Sequence, residues 1–197
     1  MIVITDYKAG NIKSITNILD TFGEKYVVSA DKNDILSADA IIFPGQGHFG
    51  QAVEKLSQLD LIDTLKEAAC EKKIKFLGIC LGLQILFQKS EEAENAKGLG
   101  FFEGEVVKFK DCKIPQIGWN NIITTDNNSF LPQDYFYFVN SYYAVPQNPQ
   151  IISSYAEYGG VKFCASIEYQ NITAVQFHPE KCANAGRIFF NNWLRNN

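Results

Sequence analysis

Residues 74–89 place an apolar run, Ile74–Ile79, directly before Cys80 and a stretch expected to be helical, Leu81–Lys89. Glycines stand two positions either side of the cysteine, at Gly78 and Gly82, so the segment has the form G-x-C-x-G between a strand and a helix. That is the thiol version of a nucleophile elbow, in which the reactive side chain rides a sharp strand-to-helix turn. The glycines remove Cβ atoms that would crowd such a turn. The surrounding chain agrees with a fold that can hold one. Before residue 100, short apolar runs at Ile2–Thr5, Tyr26–Val28 and Ala40–Phe43 alternate with helical spacing. Ile12, Ile15, Ile18, Leu19 and Phe22 make one helix, which stops at Gly23. Ala52, Val53, Leu56, Leu59, Ile62 and Leu65 make another, which Leu59-Asp60-Leu61 divides. Strands separated by helices predict parallel βαβ units covered on both faces.

After Gly98 the pattern changes. Val106–Phe109, Asn121–Thr125, Tyr135–Asn140, Ile151–Tyr155, Lys162–Tyr169 and Thr173–Phe177 read as strands. Gly159-Gly160 and Gln170-Asn171 supply hairpin turns between the last three, and Ala183–Leu194 closes the chain as a helix. The expected fold is α/β, a mostly parallel central sheet with helices on both faces and an antiparallel extension, in one domain over residues 1–197.

The elbow chemistry needs a partner. A helix beginning at Leu81 would set N–H groups and a positive dipole end near the sulfur, favouring the thiolate, and the Leu81 N–H would serve as an oxyanion donor. The chain has only two histidines. His178 lies in Gln176-Phe177-His178-Pro179-Glu180, where residues two apart on an extended chain share a side, so Glu180 can orient the ring. Pro179 keeps His178 out of the helical region. A buried structural cysteine and a surface histidine would be the ordinary readings of either residue alone; together they read as nucleophile and base. Residues 45–50 match G-x-G-x-x-G, but they follow the third strand and have no acid at a later strand end, which argues against a dinucleotide site. A Gly-rich turn there suits a second oxyanion donor from Gln46 or Gly47. His48 in that turn has no acid placed to orient it.

Composition narrows the setting. The net charge of −4 gives no basic footprint for nucleic acid or an anionic membrane, and no run approaches a membrane span. The opening MIVIT carries no basic leader, and the five cysteines form no C-x-x-C pair. A reduced, cytoplasmic protein is expected, with Cys70, Cys112, Cys164 and Cys182 carrying no special setting.

The motifs GICLGLQ, PGQG and FHPE together resemble the class I (triad) glutamine amidotransferases. With DYKAGN, PGQGHFG, GICLGLQILF, KGLG, IGWN, FVNSYY and FHPEK in this order, the chain is similar from Asp6 to its last helix to the glutaminase subunits of imidazole glycerol phosphate synthase. The resemblance implies that Cys80 attacks the side-chain amide of L-glutamine, that His178 passes a proton to the departing ammonia, and that Glu180 orients His178. A glutamyl thioester would form and be released by water. Gln84, Glu92, Ser141 and Tyr142 match positions that hold glutamine, and Gly45–Gly47 matches the oxyanion strand. Asn11, Trp119 and Lys181 match positions facing a synthase subunit of (β/α)8-barrel type, the other half of a heterodimer that would take the ammonia for histidine biosynthesis. No cofactor and no metal are implied.

The sequence leaves the family pattern in three places. Gln46 replaces the valine of PGVG, Gln116 the histidine of PHMGWN, and Asn140 the histidine of VHSY. None is in the triad, and all bear on partner and acceptor. A related subunit that feeds a sugar-modifying amidotransferase in surface-polysaccharide synthesis is therefore an alternative. A cysteine peptidase or γ-glutamyl hydrolase on the same elbow is another, and a non-catalytic regulatory module a third.

Overall fold

The computed structural model describes residues 1–8 and 10–196. The chain runs β1 (Ile2–Thr5), α1 (Ile12–Phe22), β2 (Tyr26–Ser29), α2 (Lys32–Leu36) and β3 (Ala40–Phe43). It continues through α3 (Phe49–Gln58), α4 (Ile62–Lys66), a π-helical turn at Glu67–Glu71, β4 (Lys75–Ile79), α5 (Leu81–Gln84), β5 (Phe87–Ser90) and β6 (Phe102–Lys108). Then come β7 (Gln116–Asn121), β8 (Ile123–Thr124), β9 (Tyr135–Asn140), β10 (Tyr142–Pro146), β11 (Ile152–Tyr158), β12 (Val161–Tyr169), β13 (Ile172–Val175) and α6 (Asn184–Arg195).

The main sheet has the order β2-β1-β3-β4-β13-β12-β11-β8. The first five strands pair in parallel and the last three run antiparallel; β13 is the exception to the change of texture after Gly98, since it pairs with β12 as the expected hairpin but also with β4 in parallel. Successive side chains of a strand face opposite ways, and the two halves of the core follow that period. Ile2, Ile4, Ile42, Leu77, Ile79 and Val175 meet α1 and α6 through Ile15, Leu19, Phe189, Phe190 and Trp193. Val3, Ile41, Phe43, Phe76 and Ala174 meet the opposite layer through Phe49, Leu56 and Leu65. Local signals set the ends of α1 and the break after α3. Asn11 caps α1 by accepting the Ser14 N–H, and Gly23 ends it in the left-handed region at φ 68°. Asp60 (φ 56°) lies in the break between α3 and α4.

Several expectations need correction. The helix read over Leu81–Lys89 stops at Gln84, and the chain becomes β5 instead. Helical bonding is lost to distant donors: Ile85 O accepts from Leu99 N at 2.7 Å, Leu86 O from Phe102 N and Gln88 O from Gly98 N at 3.1 Å each. Because Ile85, Leu86 and Phe87 are all fully buried, their run has no polar side to fix a helical period. The strand expected at Asn121–Thr125 is divided into β7 and β8, and β7 begins earlier, at Gln116. β10 and α2 have no counterpart in the sequence reading. Two small sheets, β10-β6-β5 and the β7–β9 ribbon, stand beside the main sheet.

The elbow is held by close backbone approach. A Cβ on Gly82 would meet Phe43 O at 2.2 Å, and one on Gly45 would meet Gly82 N at 2.5 Å. The two turns therefore touch through glycine alone. Gly82→Ala is expected to cost roughly 1–3 kcal/mol by overpacking, read as an earlier urea midpoint with the slope unchanged. An unaltered midpoint would show that the turns can separate freely.

Candidate active site

The parallel pairing of β13 with β4 brings the site together. Val175 is opposite Ile79 in register, and Cys80 N–H continues the ladder to Val175 O at 2.7 Å. Cys80 and the segment leading to His178 thus leave the same edge of the sheet from neighbouring strands. Cys80 has φ 55° and ψ −108°, a left-handed conformation that costs a non-glycine residue on the order of 1–3 kcal/mol and marks the strained elbow turn.

His178 is buried and its Nδ1 lies 2.8 Å from Glu180 Oε1. The Glu180 side chain is itself almost wholly enclosed. Burial works against a charged ring, but the Cys80 sulfur beside it and the Glu180 carboxylate outweigh that, pushing His178 up to about 10. This arrangement suits an imidazolium paired with a thiolate, one side chain ready to attack and the other to protonate a leaving amine. The helix-dipole expectation is reduced accordingly. With α5 only four residues long, charge on the sulfur is met mainly by His178 rather than by a helix end. Burial raises other thiols, Cys164 to about 12 and Cys182 to about 11, which makes both poor nucleophiles at neutral pH.

A cavity of about 410 Å³ opens over Cys80, lined among others by Gln46, Gly47, Leu81, Gln84, Glu92 and His178. All three expected oxyanion donors are on its wall, and so are Ser141 and Tyr142. Gln84 is buried one turn after the nucleophile; its Nε2 reaches Tyr142 O at 3.1 Å and Gln176 Oε1 at 2.9 Å. Glu92 belongs to an acidic stretch that is otherwise exposed, yet its Oε2 accepts the Phe49 N–H at 2.7 Å and fixes the start of α3. His48 caps the same helix, with Nδ1 accepting from Gly50 N, and it is not part of the cavity wall. The turn preceding it is anchored by Tyr7, whose buried hydroxyl donates to Pro44 O at 2.8 Å.

Gln176 is the residue that sequence reasoning passed over. It is fully buried, with Nε2 3.6 Å from Cys80 Sγ. Its signal was present: a polar residue ending the apolar run Ile172–Val175 and lying two before His178, hence on the same side of an extended chain.

This geometry can be set beside known proteins. The family model for class I glutamine amidotransferases matches residues 3–196. The chain belongs to that family. It is 40% identical over 201 residues to the imidazole glycerol phosphate synthase subunit HisH 1 of Methanococcus maripaludis, covering 98% of each chain. To the corresponding HisH subunit of Pyrococcus furiosus it is 41% identical over 198 residues, again covering 98% of each. Among solved structures, PurLQS from Thermotoga maritima superposes with a TM-score of 0.75 at 18% identity, covering 98% of this chain and 96% of that one, a likeness of fold.

The amidotransferase cavity continues into the β7–β9 ribbon. Lys181, on the cavity wall, lies over the Tyr137 ring at 5.3 Å, and Trp119 meets the same ring edge-on at 5.8 Å. Helix α1, which Asn11 caps, packs against the Pro179–Lys181 turn. Of the three expected partner-facing residues, Lys181 lines the cavity, Trp119 meets Lys181 through Tyr137, and Asn11 caps the helix that packs on the same turn. Ile117, Trp119 and Tyr135 are 64%, 57% and 59% exposed, an apolar surface of the kind that marks a docking face. Two of the three departures from the family pattern also meet: Gln116 and Asn140 are buried cross-strand partners on this ribbon, while Gln46 is exposed at the cavity mouth.

Two outcomes follow from the pair. Glu180→Gln keeps the shape but removes the charge, and should lower turnover by roughly 10²–10⁴-fold; wild-type turnover would remove Glu180 from the site. Because His178 is raised rather than lowered, its proton is retained at neutral pH and lost as pH rises through about 10. Substrate turnover should fall on that limb, and a limb near the free-imidazole value would contradict the ion pair.

Proposed function

We infer that this chain is the glutaminase subunit of an imidazole glycerol phosphate synthase, acting in histidine biosynthesis as one amidotransferase domain over residues 1–197. The observation that carries the reading is Cys80 at a strained elbow beside the buried His178–Glu180 pair, in a chain that matches HisH subunits over nearly its whole length. In this scheme Cys80 Sγ attacks the side-chain amide carbon of glutamine. The oxygen takes up negative charge toward the N–H groups of Leu81 and of the Gln46–Gly47 turn, where fixed donors are worth roughly 10²–10³ in rate each. His178 gives its proton to the leaving nitrogen, ammonia departs, and a glutamyl thioester remains. Water, deprotonated by the same ring, then releases glutamate. Gln84, Glu92, Ser141 and Tyr142 form the seat of the amino-acid head group.

The ammonia passes to a separate synthase subunit of (β/α)8-barrel type, which docks on the face bordered by Asn11, Trp119 and Lys181. The exposed apolar ribbon beside the cavity supports that side of the molecule as the dock. Among the described residues no helix is long and apolar enough to cross a membrane, and a cytoplasmic complex is the setting we propose. The alternative partner, a sugar-modifying amidotransferase, is favoured by one observation: Gln116 and Asn140 change together on the docking ribbon.

Glutamate release separates these readings. The chain is mixed with a barrel synthase and its phosphoribulosyl substrate, and separately with a sugar amidotransferase. Acceleration by the first alone is expected, and acceleration by the second alone would reassign the pathway. Cys80→Ser should lower glutamate release by about three orders of magnitude or more without unfolding the chain. Retained turnover in that folded variant would sink the glutaminase assignment.

A further inference from the structure

The reaction scheme leaves unused the buried side chain that lies against the nucleophile. Gln176 follows β13, with Nε2 3.6 Å from Cys80 Sγ and Oε1 2.9 Å from Gln84 Nε2. Gln84 Nε2 also reaches the Tyr142 carbonyl at 3.1 Å. The two ends of a side-chain amide have nearly the same shape, so their orientation is decided by partners. Here one partner cannot be turned over. The Tyr142 carbonyl is an acceptor only, and it already takes the Asn140 amide at 3.0 Å on its other side.

At 3.1 Å that carbonyl can be faced by the N–H side of Gln84 and not by its oxygen, since two acceptors would repel. The second hydrogen of the same nitrogen then points at Gln176 and must be met by oxygen. Gln176 is left to present its NH2 to the sulfur. A polarity fixed by one backbone carbonyl is thus handed through two amides to Cys80. It also leaves Gln84 Oε1 as the atom of that side chain not engaged in the chain of bonds. Gln84 stands on the cavity wall, where an acceptor suits a substrate donor.

We propose that Gln176 is a positioning residue of the glutaminase, tying the Cys80 sulfur and the glutamine-holding amide of Gln84 into one hydrogen-bonded relay. The proposal rests on the glutaminase reading for its catalytic meaning. An N–H aimed at sulfur stabilises the anionic form more than the neutral thiol, because a bond to a charged acceptor is the stronger. The same side chain keeps Gln84 from rotating, so attack and substrate orientation share one support.

Two substitutions divide these effects. Gln176→Glu keeps an oxygen for Gln84 but takes the N–H away from sulfur. Alkylation of Cys80 by iodoacetamide, followed on the peptide by mass spectrometry across pH, should then move to higher pH. Its rate at neutral pH should drop by about tenfold or more, the factor for a lost charge-assisted bond, while KM for glutamine stays near that of the wild type. Gln176→Met takes away both bonds, so KM should rise as well. Wild-type pH profiles and KM in both folded variants would overturn the relay.

If neither variant folds, the wild-type chain provides the reading. With 15N-labelled glutamine side chains, a buried amide pair should shift when Cys80 is alkylated, and the absence of any such shift would also overturn it. The glutaminase reading fails separately, if the wild-type chain releases no glutamate with any synthase partner. The alkylation profile tests the relay in either case.

Discussion

The lateral bond between β4 and β13 is the constraint on which the rest depends. β4 ends at Ile79 and β13 at Val175, and the Cys80 N–H to Val175 O bond ties the elbow to the neighbouring strand. Parallel neighbours release their chains at the same edge, so a cysteine and a histidine far apart in sequence come off side by side. A single-residue change of register would turn the side chains of one strand to the other face and part the two groups. The Gly45–Gly82 contact then brings the loop after β3 against this pair from the other flank. The proposed nucleophile, base and oxyanion loop are thereby placed by three adjacent strands of one sheet.

Electrostatics in the site follow from that enclosure. A buried imidazole would ordinarily shed its proton, and burial alone pulls His178 in that direction. Charge on both sides of the ring reverses the outcome. The Glu180 side chain is enclosed at least as completely as that of His178, so its attraction is little screened by water. The strain at Cys80 and the burial of His178 are both unfavourable alone, and each is offset by the other elements of the site.

Much of this was legible because the decisive signals are local. G-x-C-x-G specifies its own turn, and the pairing of His178 with Glu180 was expected from an extended chain, whereas the 3-10 turn Pro179–Lys181 is what folds the carboxylate back to the ring. The alternation before residue 100 likewise gives β1–β4 of the parallel half, but not the parallel pairing of β13 with β4. What escaped depends on distant partners. Ile85–Phe87 reads as helix until Leu99 and Phe102 claim its carbonyls. Gln176 is a single letter before a recognised motif until Gln84 and Cys80 surround it. Gln116 and Asn140 were separate departures in sequence; the strand register sets them opposite one another.

The β7–β9 ribbon supports the site as well as presenting an exposed face. His178 N–H donates to Tyr137 O at 2.9 Å, so the base is suspended from the inner strand of the ribbon. The ring of that same Tyr137 bears Lys181 and Trp119. Trp119 and the His178 backbone are thus joined through a single residue. The solvent-facing surface of the ribbon and the buried histidine therefore share one tyrosine.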